Sequence, residues 1–166
     1  TRILISCQVS MIPDFNERGE LPPGIHVTTL SEIGEKLAFN PLRLALFEGL
    51  RRGLKNLRNA GVRRVFIDGS FVTSKPLPGD VDGCWEAGNN VRMEYLDPVW
   101  LDFADSRAGM KRKYGMDFFP NYWFEAGSGQ PFVEFFQLSR NGTRRGILAV
   151  DLEAEEIDND RERDST

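Results

Sequence analysis

The stretch Phe66-Ile-Asp-Gly-Ser-Phe-Val-Thr-Ser-Lys-Pro-Leu-Pro-Gly-Asp-Val-Asp82 decides how this chain reads. A short apolar run ends in Gly69-Ser70, and ten residues after the serine come Asp80 and Asp82, separated by one valine. Side chains two apart on a strand share a face, so both carboxylates are expected at one spot. Two oxygen ligands beside a glycine turn suit a divalent ion that carries a nucleotide's phosphates.

The flanking sequence supplies a scaffold for that spot. Upstream, Thr29-Leu-Ser-Glu32 has the form of a capping box opening a short helix to Ala38. Asn40-Pro41 opens a longer one, with an N-cap followed by proline at the first position. That second helix carries Leu42, Leu46, Leu50, Leu54 and Leu57 as one apolar stripe and meets a C-terminal signal at Gly61. Val62–Ile67 and Val81–Trp85 read as buried strands. Asp97-Pro98 opens a further helix with Val99, Trp100, Phe103 and Met110 inward, closed by Lys111-Arg112-Lys113 and Gly115. Met116–Phe119 is a short strand containing Asp117. Gly127-Ser128-Gly129 marks a loop, Phe132–Leu138 suits helix or strand equally, Asn141-Gly142 is a hairpin-turn signal, and Gly146–Leu152 is the last strand. This order predicts an α+β (mixed α/β) domain, a small mixed sheet flanked by helices.

Composition bounds the rest. The 166 residues fit one domain, expected over 11–152 with an extended, Pro- and Gly-rich arm at 11–28. Residues 1–10 read as a dispensable leader, non-native or disordered, with Met11 as an alternative start. Residues 153–166 read as an acidic, disordered tail. From Asp151 onward there are eight acidic residues and two arginines, so the body carries 19 basic and 17 acidic residues and the net charge of −4 belongs to the tail. No apolar run approaches the roughly 20 residues that span a bilayer, so a membrane is not expected as a partner. The two cysteines, Cys7 and Cys84, do not make a disulfide framework, which fits a cytoplasmic location. With His26 the one histidine, a Cys/His zinc site cannot be assembled, and any metal must be a hard, oxygen-bound ion.

The chemistry of nucleotidyl transfer matches the residues at hand. Gly69 lets backbone approach phosphates without a Cβ, and Ser70 offers a hydroxyl and an N–H. Asp80 and Asp82 would hold one or two Mg²⁺ (or Mn²⁺) ions. A third carboxylate on a neighbouring strand completes a two-metal site. Asp117 is the candidate, with Glu86 and Glu134 in reserve.

Gly69-Ser70 followed by Asp80-Val-Asp82 resembles the signature of the DNA polymerase β-like (minimal) nucleotidyltransferase superfamily. The resemblance is closer to a group of small bacterial proteins within it, and is carried by Met11-Ile-Pro-Asp-Phe-Asn16, Leu21-Pro-Pro-Gly-Ile-His26, Asp68–Lys75 and Arg145-Gly-Ile-Leu148. It implies a nucleotidyltransferase fold, Mg²⁺, a nucleoside triphosphate substrate, and kinship with toxin and mobile-element proteins that nucleotidylate RNA or protein. An RNA, protein or small-molecule acceptor and an antitoxin partner follow as expectations. Two positions depart from the superfamily pattern: Asp68 precedes the glycine and Gly83 follows the second aspartate, where hydrophobic residues are preferred.

Competing readings stand beside these. Asp80 and Asp82 could be turn residues after Pro78-Gly79, and Asp117 an exposed strand-end acid. Lys75 could touch the triphosphate or be a solvated loop lysine. Arg51, Arg52, Lys55, Arg58, Arg63 and Arg64 could steer RNA, while Lys111–Lys113 read more simply as a solubilised helix end. His26 reads as a packing residue. Phe118, Phe119, Tyr122, Trp123 and Phe124 read as core rather than a base-stacking surface. The alternative to an enzyme is a catalytically silent nucleotide-binding or partner-binding protein on the same fold.

Overall fold

The computed structural model describes residues 12–121 and 144–155. These form a mixed α/β unit of three helices and one five-stranded sheet. The strands are β1 (Gly24–Thr28), β2 (Arg64–Asp68), β3 (Val81–Trp85), β4 (Met116–Pro120) and β5 (Gly146–Asp151), in spatial order β1-β5-β2-β3-β4. β1 runs parallel to β5 and β3 parallel to β4, while β2 is antiparallel to both of its neighbours. The helices are α1 (Leu30–Leu37), α2 (Pro41–Asn59) and α3 (Ala104–Tyr114). The leader 1–10, Met11, the loop at Gly127–Gly129, the ambiguous segment Phe132–Leu138, the Asn141-Gly142 turn and residues 156–166 of the predicted tail lie outside the described residues.

Alternation along the strands gives the sheet two faces. One presents Val65, Ile67, Val81, Trp85, Met116, Phe118, Leu148 and Val150 to the helices, where they join Leu46, Leu50, Leu54 and Leu57 of α2 in the main core. The other presents Phe66, Cys84, Ile147 and Ala149, a smaller apolar cluster, and ends in carboxylates. Gly83 lies on the helix face, and a Cβ there would stand 2.2 Å from the Phe66 carbonyl oxygen and 2.6 Å from the Phe118 ring. Close packing of β2 and β4 around β3 therefore explains that departure from the superfamily pattern.

Helix starts agree with the capping signals. Asn40 Oδ1 accepts from Arg43 N at 2.8 Å, with Pro41 at the first position. Thr29 Oγ1 accepts from Glu32 N at 3.2 Å. The Glu32 carboxylate, however, takes the Ile12 N–H and the Thr28 hydroxyl, each at 2.9 Å, so it ties the arm to α1 instead of closing a reciprocal box.

Three expectations are corrected. The arm at 11–28 is not a surface coil throughout: Ile12 and Leu21 are buried, and its last five residues form the edge strand β1, paired in register with Gly146–Val150. The helix expected from Asp97 onward is broken. Asp97 Oδ1 caps Val99 N at 3.1 Å, but only a 3-10 turn, Pro98–Leu101, follows. Asp102 then caps Ala104 N at 3.1 Å, and Asp105, Ser106 and Arg107 take left-handed φ values of 51°, 53° and 65° before the right-handed helix resumes. Left-handed backbone costs roughly 1–2 kcal/mol per residue with a side chain. Finally, the stretch expected as tail from 153 begins with residues that pack back. Arg63 Nε lies 3.1 Å from Glu153, and Glu155 accepts from Leu30 N, at the start of α1, at 3.1 Å.

The apolar stripe of α2 also shifts. Leu42 is 40% exposed, and Arg43 occupies the inward position of the first turn with no exposed surface. Its guanidinium donates to the carbonyls of Leu37 (3.0 Å), Ser70 (3.1 Å), Phe71 (2.8 Å), Thr73 (2.6 Å) and Lys75 (2.7 and 3.0 Å). It also lies 4.2 Å over the Phe39 ring. Burial lowers its pKa to about 10, which leaves it charged at neutral pH. No carboxylate is among these partners, so the charge is solvated by backbone dipoles, and the loop 70–75 is held in shape by one side chain. Arg43→Ala should therefore destabilise the protein by about 3 kcal/mol or more in urea denaturation. Arg43→Lys should recover little of this, because an ammonium cannot serve the same fan of acceptors. A lysine variant of wild-type stability would contradict this role.

Candidate metal and nucleotide site

Register builds the site. Asp68 of β2 pairs across from Asp82 of β3, and Asp82 pairs across from Asp117 of β4. Residues directly opposite share a sheet face, so three carboxylates stand in one rank across three strands. Asp80, two residues before Asp82, adds a fourth from the end of the loop. One carboxylate oxygen from each of Asp80, Asp82 and Asp117 lies within 4.8 Å of the others. Asp117, chosen from sequence because it sits in the next strand, is thus brought to the pair Asp80–Asp82 and is buried rather than an exposed strand-end acid. The reserves are not: Glu86 is exposed beyond this group, and Glu134 lies outside the described residues.

Gly69 ties the glycine turn to the carboxylates. Its φ is +75°, and a Cβ there would stand 2.1 Å from Asp82 Oδ2. The missing side chain is where the Asp82 carboxylate sits. Ser70 opens a 3-10 turn, Ser70–Val72. Its carbonyl is held by Arg43 and by the Thr73 hydroxyl at 2.7 Å, while its own hydroxyl and amide make no hydrogen bond to the described residues. Lys75 is the site residue not brought in: it is exposed on the loop and engages Arg43 through its carbonyl.

Crowded negative charge dominates the electrostatics. Asp82 is raised to about 7 by burial and then by Asp80, Asp117 and Asp68, against the pull of Arg145. Asp68 is raised to about 6 by burial, against the pull of Arg145 and the Gly69 N–H. Asp80 is raised by burial and by Asp117, against Lys111 and Arg107. Three cations answer this charge. Arg107 grips Asp117 with both arms of its fork, Nε at 2.6 Å and Nη2 at 3.2 Å, and Lys111 Nζ lies 3.6 Å from the same carboxylate. Arg145 Nη2 lies 3.1 Å from Asp68 Oδ1, a contact that is ionic by distance without the alignment of a hydrogen bond.

An all-oxygen set of three carboxylates fits a hard divalent ion. Octahedral Mg²⁺ with oxygen distances of about 2.0–2.1 Å sets adjacent ligands about 3 Å and opposite ligands about 4.2 Å apart, so oxygens within 4.8 Å of one another would draw together around an ion. The donors present exclude neither Mg²⁺ nor Mn²⁺ and offer nothing to a soft metal.

Sequence reasoning missed Arg43 and Arg107. A charged residue falling on the buried stripe of α2, three before Leu46 and four before Phe47, was the available signal for the first. None existed for the second, because the left-handed turn that aims it has no sequence signature. Lys111 was read as helix-end solubility, yet it faces the carboxylates. Of the remaining basic candidates, three have partners elsewhere: Arg51 with Glu48, Arg63 with Glu153, and Arg52 with the Lys113 carbonyl. His26 Nε2 donates to the Pro22 carbonyl at 2.7 Å, a turn-closing role. Cys84 is buried beneath the acids, its thiol pushed up by burial and by Asp68. Phe118 is core, and Phe119 stacks on Phe103 with centroids 6.2 Å apart. Tyr122, Trp123 and Phe124 lie outside the described residues. No described helix is long and apolar enough to cross a membrane.

Over residues 13–151 the chain matches a family of unknown function, DUF6932. It belongs to that family. No curated protein and no solved structure matches the chain. The DUF6932 region takes in every residue of the site, from Gly69 and Ser70 to Asp117 and Arg145, together with Arg43.

The raised carboxylates set a pH dependence for this DUF6932 member. Asp68 and Asp82 keep protons in the folded state that the unfolded chain loses near about pH 4. The folded state therefore binds more protons, and the stability fully present below about pH 4 is lost progressively as pH rises to about 6 to 7. Metal-free protein should show a Tm contribution from these groups that falls from about pH 4 to about pH 7. Asp82→Asn should be closest to wild type at about pH 4 and melt higher at about pH 8. A parallel decline of both would show that Asp82 carries no such penalty.

Proposed function

We propose that the chain is a metal-dependent nucleotidyltransferase, built on a minimal nucleotidyltransferase fold of the DNA polymerase β-like kind. It transfers a nucleoside monophosphate from a nucleoside triphosphate to an RNA, protein or small-molecule acceptor. One observation carries the reading: Asp80, Asp82 and Asp117 converge, and the Gly69-Ser70 turn abuts the Asp82 carboxylate. The glycine turn and the paired aspartates lie ten residues apart in sequence, and their contact in space is what a phosphate-and-metal site requires.

Asp80, Asp82 and Asp117 would hold Mg²⁺ or Mn²⁺, and the metal supplies charge neutralisation of the triphosphate when bound. Ser70 offers its hydroxyl and N–H to a phosphate oxygen, on a loop whose carbonyls at Ser70, Phe71, Thr73 and Lys75 are already taken by Arg43. An acceptor hydroxyl attacks the α-phosphorus, the bond to the bridging oxygen breaks, and pyrophosphate leaves. One of the carboxylates, with a pKa raised towards neutrality, is suited to take the hydroxyl proton. A toxin or mobile-element role with an antitoxin partner, in the cytoplasm, is the setting that the superfamily resemblance suggests.

A second reading, a nucleotide-binding protein without turnover, is favoured by the ion pair in which Arg107 already holds Asp117. One assay separates the two. Protein is incubated with Mg²⁺, each α-labelled nucleoside triphosphate and a cell lysate as acceptor source. Transfer predicts label in RNA, protein or a small molecule. Asp80→Asn and Asp82→Asn should reduce it by more than the roughly 10–100-fold typical of outer-shell changes around a metal, with the fold retained by circular dichroism. Bound nucleotide without transferred label favours the silent reading. Undiminished transfer by the double variant rules out these carboxylates as the centre.

A further inference from the structure

Arg107 is held at the site in a way that suggests release. Its fork closes on Asp117 at 2.6 and 3.2 Å, yet its side chain is 27% exposed. Its guanidinium lies 4.8 Å over the Phe119 ring, which stacks on Phe103, so among the described residues it rests on an apolar shelf. The backbone that aims it is the left-handed run Asp105–Arg107, and Asp105 and Ser106 are exposed. Left-handed conformation disfavours residues with side chains, so Arg107 is aimed at Asp117 against a local backbone cost. The contact with Asp117 thus sustains the strain, and loss of the contact removes the reason for it. Lys111, by comparison, reaches Asp117 at 3.6 Å from regular helix.

A divalent ion and the Arg107 fork would claim the same Asp117 oxygens. The ion of the preceding section brings a polyphosphate with it, the anion that a guanidinium fork binds best. We propose that Arg107 is an exchangeable counter-cation of this site, occupying Asp117 while metal is absent and passing to the triphosphate when metal takes the carboxylate. The inference rests on the metal-site reading of Asp80, Asp82 and Asp117. It makes metal and nucleotide bind cooperatively: metal alone must evict the arginine, while metal with nucleotide gives it a new partner. It also assigns Arg107 as a nucleotide-binding residue that no motif marks.

The test uses the full chain. Mn²⁺ affinity without nucleotide is measured by electron paramagnetic resonance, and Mg²⁺-dependent binding of a fluorescent, non-hydrolysable nucleoside triphosphate analogue is measured by anisotropy. Arg107→Gln should bind Mn²⁺ about tenfold more tightly than wild type and the analogue about tenfold more weakly, as expected for removing one charge-assisted fork. Arg107→Lys, which keeps the charge and loses the fork, should fall between, and it preserves the test if the glutamine variant folds poorly. Lys111→Gln should change Mn²⁺ affinity less than Arg107→Gln. Unchanged or weaker Mn²⁺ binding by both Arg107 variants overturns the exchange, as does unchanged analogue binding. Asp82→Asn distinguishes the underlying reading: if it binds Mn²⁺ as wild type does, the metal site itself is wrong, and the exchange falls with it.

Discussion

Like charges in register across three adjacent strands are the constraint around which this molecule is arranged. Asp82 has Asp68 opposite it on one side and Asp117 on the other, and directly opposed carboxylates destabilise a sheet. The surrounding structure answers that repulsion at the two ends of the rank. Arg145 comes from beside β5 to Asp68, Arg107 and Lys111 come from α3 to Asp117, and Asp82, between them, is left with a pKa of about 7. The cations stand at the ends of the rank and the residual charge accumulates at its centre. A sheet selected for stability alone would not keep four acids on one face. A divalent cation held by Asp80, Asp82 and Asp117, as proposed above, would relieve the charge that Arg145, Arg107 and Lys111 leave at the centre.

Arg43 does for the loop what the strands do for the acids. The segment 70–75 has no ladder to satisfy its carbonyls, and buried backbone acceptors without partners are costly. One guanidinium, itself anchored in the first turn of α2, engages the carbonyls of Ser70, Phe71, Thr73 and Lys75. The charge is tolerated at full burial because the fan of carbonyl dipoles replaces water. Rigidity then travels from a helix in the core to the Gly69-Ser70 turn and on to Asp82, whose carboxylate fills the space at Gly69. Changes in the first turn of α2 are thereby coupled to the site through a contiguous chain of contacts.

How much of this was legible in sequence follows from which interactions are local. The caps at Asn40 and Thr29, the stop at Gly61, and the strands Val81–Trp85 and Met116–Pro120 depend on neighbours within a few residues, and their patterns are plain. Asp80 and Asp82 show themselves by strand periodicity, and Asp117 by lying in the next strand. β1 was hidden because Pro22-Pro23-Gly24 reads as turn, and its pairing partner is more than a hundred residues away. Arg43 was hidden because charge on a helix predicts exposure unless acceptors are known, and its acceptors come from a loop 27 to 32 residues on. The broken helix after Asp97 was hidden because Asp97-Pro98 is a genuine start signal, followed by a second aspartate, Asp102, that caps again and interrupts it.

The two departures from the superfamily pattern acquire physical meaning from this geometry. Gly83 is demanded by the Phe66 carbonyl and the Phe118 ring, so its lack of a hydrophobic side chain reflects tight packing of the three site-bearing strands. Asp68 is no stray acid before the glycine. Together with Arg145 it forms a buried pair at the back of Asp82, adding negative charge that raises Asp82 while its partner cation lowers it. A hydrophobic residue at 68 would strip the first influence and leave Arg145 facing Asp82 alone. The pair therefore reads as a charge-balancing element behind the centre, its two opposed influences leaving burial, Asp80 and Asp117 to set the raised pKa of Asp82.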